Sequence, residues 1–274
     1  MNAAGRPADQ YLRTIQHRAP PGRTNAITLK QLTLLFVLAI LCIVPLRAQS
    51  VTDAPPAEEI AAAYVESIGG ADAWTQLSAM QMTGKVSMQG MTFPVTMTTA
   101  VGDKNRFEMD IQGNKMVQAY DGETAWQYFP MQGITEPKEM TDEEATDLKE
   151  TPFLDVFINY ADRGYQLANV EGKDVEGTPT YGIHVTNDQG FDRTYYFDTE
   201  TMVPLLVTFT ARSGQMKGVA MESFMSDYAE IEGLVLPMFM QQKVNGQEMM
   251  SMTFDNVSLD PELDPDFFSM DSME

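Results

Sequence analysis

The sequence predicts a mainly β fold with helices (α+β): a long, curved antiparallel sheet with helices packed on one face. Three observations lead there. Apolar residues recur at helical spacing only over Asp53–Gly70 and Thr141–Gly164, whereas alternation with period 2 dominates from Ser78 onward. Turn residues punctuate the alternating runs. Nothing in the composition marks a linker, so residues 51–274 read as a single domain behind an N-terminal extension and secretory signal at residues 1–50.

Leu32 to Leu46 reads LTLLFVLAILCIVPL, an apolar run of 15 residues preceded by Lys30 and four arginines. A bilayer-spanning helix needs about 20 apolar residues, so the run fits the h-region of a signal peptide. Small residues at Ala48 and Ser50 place cleavage near Ser50, with an uncleaved anchor as the alternative. Cys42 follows Ile40-Leu41, not the small residue that lipidation requires, so it is not a lipid attachment site. The expected location is therefore the periplasm, reached across the inner membrane by a cleaved leader.

Asp53–Gly70 (DAPPAEEIAAAYVESIGG) is one amphipathic helix. Prolines lie near its start, Glu58 and Glu59 complement its N-terminal dipole, and Gly69-Gly70 stop it. Ala71–Leu77 adds a short helical turn. In Ser78–Gly90, Met80, Met82, Val86 and Met88 share one face, and Gln81, Thr83, Lys85, Ser87 and Gln89 the other. Phe93, Val95, Met97 and Val101 repeat the pattern, then Phe107, Met109 and Ile111 opposite Arg106, Glu108 and Asp110. Gly113-Asn114 and Asp121-Gly122 mark turns, which makes the region an antiparallel meander.

Thr141–Gly164 interrupts the strands. Thr141 with Glu144 forms a capping box, and Pro152 is expected to restart a second helix carrying Phe153, Val156, Phe157 and Tyr160. Strands resume at about Gln166 and run to Leu259, about a dozen in all. So long a sheet must coil into a barrel or half-barrel, with its apolar face as a hollow and the helices as lid. Whether that hollow is packed core or a ligand cavity is the functional question.

The composition narrows the answer. The chain of 274 residues carries 18 Lys plus Arg against 39 Asp plus Glu, a net charge of −21. Six of the cations lie in residues 1–50 with one anion, so the rest holds 12 cations against 38 anions. Nucleic acid is excluded as a partner, because phosphate binding needs clustered cations. Such self-repulsion favours a soluble monomer. Both an acidic periplasmic protein and a salt-adapted organism account for it.

Residues 51–274 contain no Cys and a single His, His184, on an alternating strand. No nucleophile–base constellation, phosphate loop, dinucleotide fingerprint or zinc spacing is present, so no catalytic residue, cofactor or metal is assigned. Asp260–Asp266 (DPELDPD) lacks the spacing and glycine of a calcium loop. Methionine is the compositional oddity, with 21 in the chain, 20 of them beyond Met1. Met is flexible and polarizable and suits surfaces that accept varied apolar partners. Met80, Met82, Met88, Met97 and Met109, with Val86, Phe93, Val95 and Phe107, are candidates to line a hollow for acyl chains; ordinary core is the alternative for each.

Ordered motifs carry a resemblance. Asp121–Pro130 (DGETAWQYFP), after KNRFEMD at Lys104–Asp110, resembles the Asp-Gly-x-Thr-x-Trp-x-Tyr-x-Pro stretch of the periplasmic lipoprotein carrier LolA and its relatives. The order IGG…ADAW, MTGKVSMQGM, DGETAW, YFDTETMVPL, SDYAEIEGLVLP, LDPELDPDFF is similar to that of the outer-membrane lipoprotein-sorting proteins of Bacteroidetes type, over Ala57–Phe268. The resemblance implies an incomplete antiparallel β-barrel with a helical lid, its hollow holding the acyl chains of lipoproteins or another lipid. It implies Trp126 and Tyr128 on the sheet beside the hollow and Phe153, Val156 and Phe157 in the lid. It also implies exchange with an inner-membrane release complex and an outer-membrane acceptor. At the position of LolA's lid-latching arginine this chain has Asp103. The alternative within this fold is a lipid-sensing or envelope interaction module like RseB, without a carrier role.

Overall fold

The structure, a computed structural model, describes residues 54–273. The leader expected at residues 1–50 lies outside the described residues. One antiparallel sheet of 14 strands forms the frame. Six strands come first: β1 (Ala79–Met88), β2 (Met91–Ala100), β3 (Lys104–Ile111), β4 (Asn114–Tyr120), β5 (Ala125–Phe129) and β6 (Ile134–Glu139). After an interruption follow β7 (Gln166–Val170), β8 (Asp174–Val175), β9 (Thr178–Thr186), β10 (Asp192–Asp198) and β11 (Pro204–Thr210). The long strands β12 (Ala220–Ile231), β13 (Leu234–Val244) and β14 (Gln247–Leu259) complete the set.

The strand order, β6-β5-β4-β3-β2-β1-β14-β13-β12-β11-β10-β9-β7 with β8 on β9, is two meanders joined where β1 meets β14. The sheet is open: β6 and β7 are its two edges. Register is fixed by the alternation, because a slip of one residue would turn every apolar side chain outward. Met82 faces Met97 and Val86 faces Phe93 on the inner face, while Gln81 faces Thr98 and Ser87 faces Thr92 on the outer. Tight turns set the hairpins: Glu232-Gly233 and Asn245-Gly246 both have positive φ, the two-residue geometry whose twist matches the strands it joins.

Helix α1 (Ala57–Ser67) lies on the inner face, burying Ile60, Ala61 and Tyr64, with Ile68 just beyond its end. It is anchored at both ends. Asn169 on β7 accepts a hydrogen bond from the Ala57 N–H and donates one to the Pro55 carbonyl, and the Val235 N–H donates to the Ile68 carbonyl. At Gly69, with φ +109°, a Cβ would stand 2.3 Å from the Gly233 carbonyl oxygen, so this close helix–sheet approach needs glycine. A short α2 (Ala71–Thr75) follows, its Trp74 buried and donating to the Ile68 carbonyl. Helix α3 (Asp142–Lys149) has the expected capping box between Thr141 and Glu144. No helix among the described residues is long and apolar enough to cross a membrane.

The expected second helix after Pro152 does not form. Residues 151–164 are bends and turns, because local polar groups take the backbone bonds that a helix would use. The Asp155 carboxylate accepts from the Phe157 N–H, and Asn159 turns at φ 51°. Arg163 donates to the carbonyls of Leu154, Asp155 and Ile158. The segment still covers the inner face, since Phe153, Val156 and Phe157 are buried.

The C-terminal segment covers the outer face instead. Phe268 packs on Ala79 and Ala100, and its carbonyl accepts from the Trp126 indole N–H at 2.8 Å. The buried Arg106 guanidinium lies 5.4 Å from the Trp126 ring and 4.9 Å from the Phe267 ring and donates to the Phe267 carbonyl.

Candidate functional site

A cavity of about 510 Å³ opens on the inner face of β10–β13, beneath the Thr151–Val156 segment and the Asp147 turn of α3. Its size lies within the roughly 300–1,000 Å³ usual for small-molecule sites. Alternation builds its wall: Tyr195 on β10 pairs with Val207 on β11, which pairs with Ser223 on β12, which pairs with Gln242 on β13. One row along, Arg193 pairs with Phe209, and Phe209 with Met221. Met216, Met225 and Met240 add to the apolar part of the lining, while Asp147, Thr151, Asp155, Arg193, Ser213, Ser223 and Gln242 supply its polar groups.

Polar bonds hold the roof over this wall. The Phe153 N–H donates to the Asp103 carboxylate at 3.0 Å, and Asp103 stands in the β2–β3 turn with φ 56°. Asp103 thus holds the covering segment by a carboxylate–amide bond. Asp155 is half-buried at the cavity and accepts from the Tyr64 hydroxyl and the Phe157 N–H, both at 2.9 Å. Burial pushes its carboxyl above the usual carboxylate range, against those hydrogen bonds and Arg163. Burial and then the Asp155 charge push the Tyr64 phenol well above its ordinary value. Asp147 accepts from the N–H groups of Arg212 and Ser213 and from the Ser213 hydroxyl.

Of the residues singled out in the sequence, Val156 alone lines this cavity. Phe153 and Phe157 lie in the covering segment; Phe157 packs edge-on against Tyr64, Tyr195 and Phe197 with ring centroids 5.0 to 5.5 Å apart. Met80, Met82, Val86, Phe93, Val95 and Met109 do face inward, but as close-packed core: Met82 is 4% exposed and Val86 0%. Met88, Met97 and Phe107 are partly buried against that core.

Trp126 and Tyr128 face the other way, which corrects the expectation that they flank the hollow. Trp126 pairs with Ala119, Ala119 with Arg106 and Arg106 with Thr98, all on the outer face; Tyr128 pairs with Val117 and Val117 with Glu108. The rest of that motif is turn chemistry, the Asp121 carboxylate accepting from the N–H groups of Glu123 and Thr124. His184 is also on the outer face, 2.9 Å from Asp192. Among the described residues no three His, Cys, Asp or Glu side chains are grouped to hold a metal ion.

Sequence reasoning missed Arg193, Tyr195, Val207, Phe209, Met221, Met225 and Met240. The signal was present in the alternation of Arg193-Tyr195-Phe197 and Met221-Ser223-Met225, but the faces they share become visible only through cross-strand register.

An open, curved antiparallel sheet with helices and a covering segment on its inner face defines a LolA-like fold. No family model matches the sequence, and no curated protein matches it. Solved structures do. The chain is similar to a domain assigned to outer-membrane lipoprotein sorting from Vibrio parahaemolyticus, with TM-score 0.54 and 11% identity over 79% of this chain and 97% of that one. A LolA superfamily protein from Nitrosomonas europaea matches with TM-score 0.53 and 11% identity over 80% of this chain and 100% of its own. A DUF1329 family protein from Desulfovibrio piger matches with TM-score 0.54 and 13% identity over 81% of this chain and 100% of its own. At these identities the likeness is one of fold.

Proposed function

We propose that this protein is a non-enzymatic carrier of the cell envelope. It shelters an acyl chain, of a lipoprotein or another lipid, in the β10–β13 hollow during transfer toward the outer membrane. The single observation that carries the reading is the cavity itself: a Met- and aromatic-lined space of about 510 Å³ beneath a segment held by individual polar bonds. Hiding acyl carbons from water is worth about 0.8 kcal/mol per CH₂, so a chain seated there is retained without covalent chemistry.

The apolar surface extends past the cavity. The row Met225–Met240–Met252–Val86–Phe93 crosses β12, β13, β14, β1 and β2 on the inner face, and Gln242–Met250–Met88–Met91 runs beside it. Met80, Met82, Met97, Phe107 and Met109 of the first meander lie on the same inner face, packed in the core beside the hollow, and a longer chain would reach them only by opening that core. The periplasm, a monomeric state and membrane-bound donor and acceptor partners belong to the same proposal, supported by the leader-like sequence and the acidic surface.

Native mass spectrometry of the protein isolated from the cells that make it, with extraction of bound lipid, tests the reading. A stoichiometric acylated molecule is the expected result. A protein that arrives empty and also fails to bind a fluorescent acyl probe would show the hollow to be a packing defect.

A further inference from the structure

We propose that the hollow selects a single-chain amphiphile with an anionic head, a fatty carboxylate, and that Arg193 binds the head. The inference rests on the hollow being the acyl site and adds its chemical preference. Arg193 lines the cavity wall, directly across from Phe209. Its guanidinium lies 4.8 Å from the Phe191 ring and 5.0 Å from the Phe209 ring, held between two aromatic faces. Among the described residues no carboxylate forms an ion pair with it, whereas Arg106, Arg212 and Lys243 each have one.

The acids at the cavity do not take that place. Asp147 is occupied by the Arg212 and Ser213 N–H groups and the Ser213 hydroxyl, and Asp155 by Tyr64 and the Phe157 N–H. The lining therefore offers one cation without a carboxylate partner, with the Tyr195 hydroxyl, the Ser223 hydroxyl and the Gln242 amide as its neutral neighbours. A guanidinium presents a planar fork that matches a carboxylate with two parallel hydrogen bonds, and it stays charged at every physiological pH. The strongly acidic body repels free anions from afar, but that field is screened within about 10 Å in salt, so capture falls to the local cation and the buried chain. A volume of about 510 Å³ suits one small-molecule ligand, which favours a single-chain amphiphile.

The test compares dodecanoate with dodecanol, equal in chain length, by competition against a bound fluorescent acyl probe on the full chain at pH 8, below the micellar concentration of the acid and the solubility limit of the alcohol. The native protein is expected to bind dodecanoate about tenfold more tightly, the scale of a charge-assisted hydrogen bond. Arg193→Met should abolish that preference and Arg193→Lys restore part of it. Equal affinity of the native protein for acid and alcohol overturns the head-group assignment while leaving the hollow as an acyl site. So does a preference that survives in Arg193→Met. Binding of neither compound overturns the hollow itself, and the head-group assignment with it. The native comparison decides even if a variant fails to fold.

Discussion

Asp155 carries the most testable residue-level consequence. Its carboxyl is held above the ordinary range by burial, so the folded protein binds that proton more tightly than the unfolded chain, whose Asp titrates near 3.9. Between the two values the native state holds the extra proton, and stability falls as pH rises. Asn keeps an acceptor for the Tyr64 hydroxyl without the charge. Asp155→Asn should therefore gain on the native protein as pH climbs through this window, read as the gap between urea midpoints from pH 4 to pH 8. A gap that stays constant or moves the other way would show that Asp155 titrates normally. Helical spacing places Tyr64 on the buried face of α1, but its bond to Asp155, 91 residues away, is not legible in the sequence.

Elements were legible where one physical rule governed them. Helix α1, from Ala57 to Ser67, is shorter at both ends than the expected Asp53–Gly70 because Pro55-Pro56 and Gly69-Gly70 lie outside it. The β1–β3 alternation and the Thr141 capping box followed from period and caps. The segment after Pro152 did not, because Asp155, Asn159 and Arg163 offer the backbone polar partners that compete with helix formation. At the junction of β1 and β14 the register shifts between Thr83 and Gly84, where a Cβ on Gly84 would stand 2.0 Å from the Thr253 carbonyl oxygen. Gly84→Ala should cost about 3 kcal/mol in chemical unfolding, because only strand displacement relieves a clash with backbone. A loss below about 0.5 kcal/mol would mean the two meanders are joined less tightly than this register implies.

At the scale of the whole molecule, the proposed acyl site and the Trp126 cluster lie on opposite faces of the sheet. Alternation alone groups Trp126 with Tyr128 and Phe107 with Met109. Which group shares a face with which depends on pairing across β3, β4 and β5, and one step of register reverses the answer. The outer face, where Trp126 meets Arg106 and Phe268, is structural in this account. Trp126→Phe should cost about 1–3 kcal/mol, through lost packing and an unpaired Phe268 carbonyl, and leave the affinity for an acyl probe as it was. Weakened probe binding in a folded variant would return the aromatic motif to the ligand site.

The central claim is that the acyl site lies on the inner face of β10–β13. Labelling with a photoreactive fatty acid, followed by peptide mapping, tests it most directly. The account predicts adducts concentrated on Tyr195, Val207, Met221, Met225 and Met240 and on the Thr151–Val156 cover. Adducts confined to the outer face around Trp126 and Tyr128, or to the β1–β3 core with the hollow unlabelled, would contradict it.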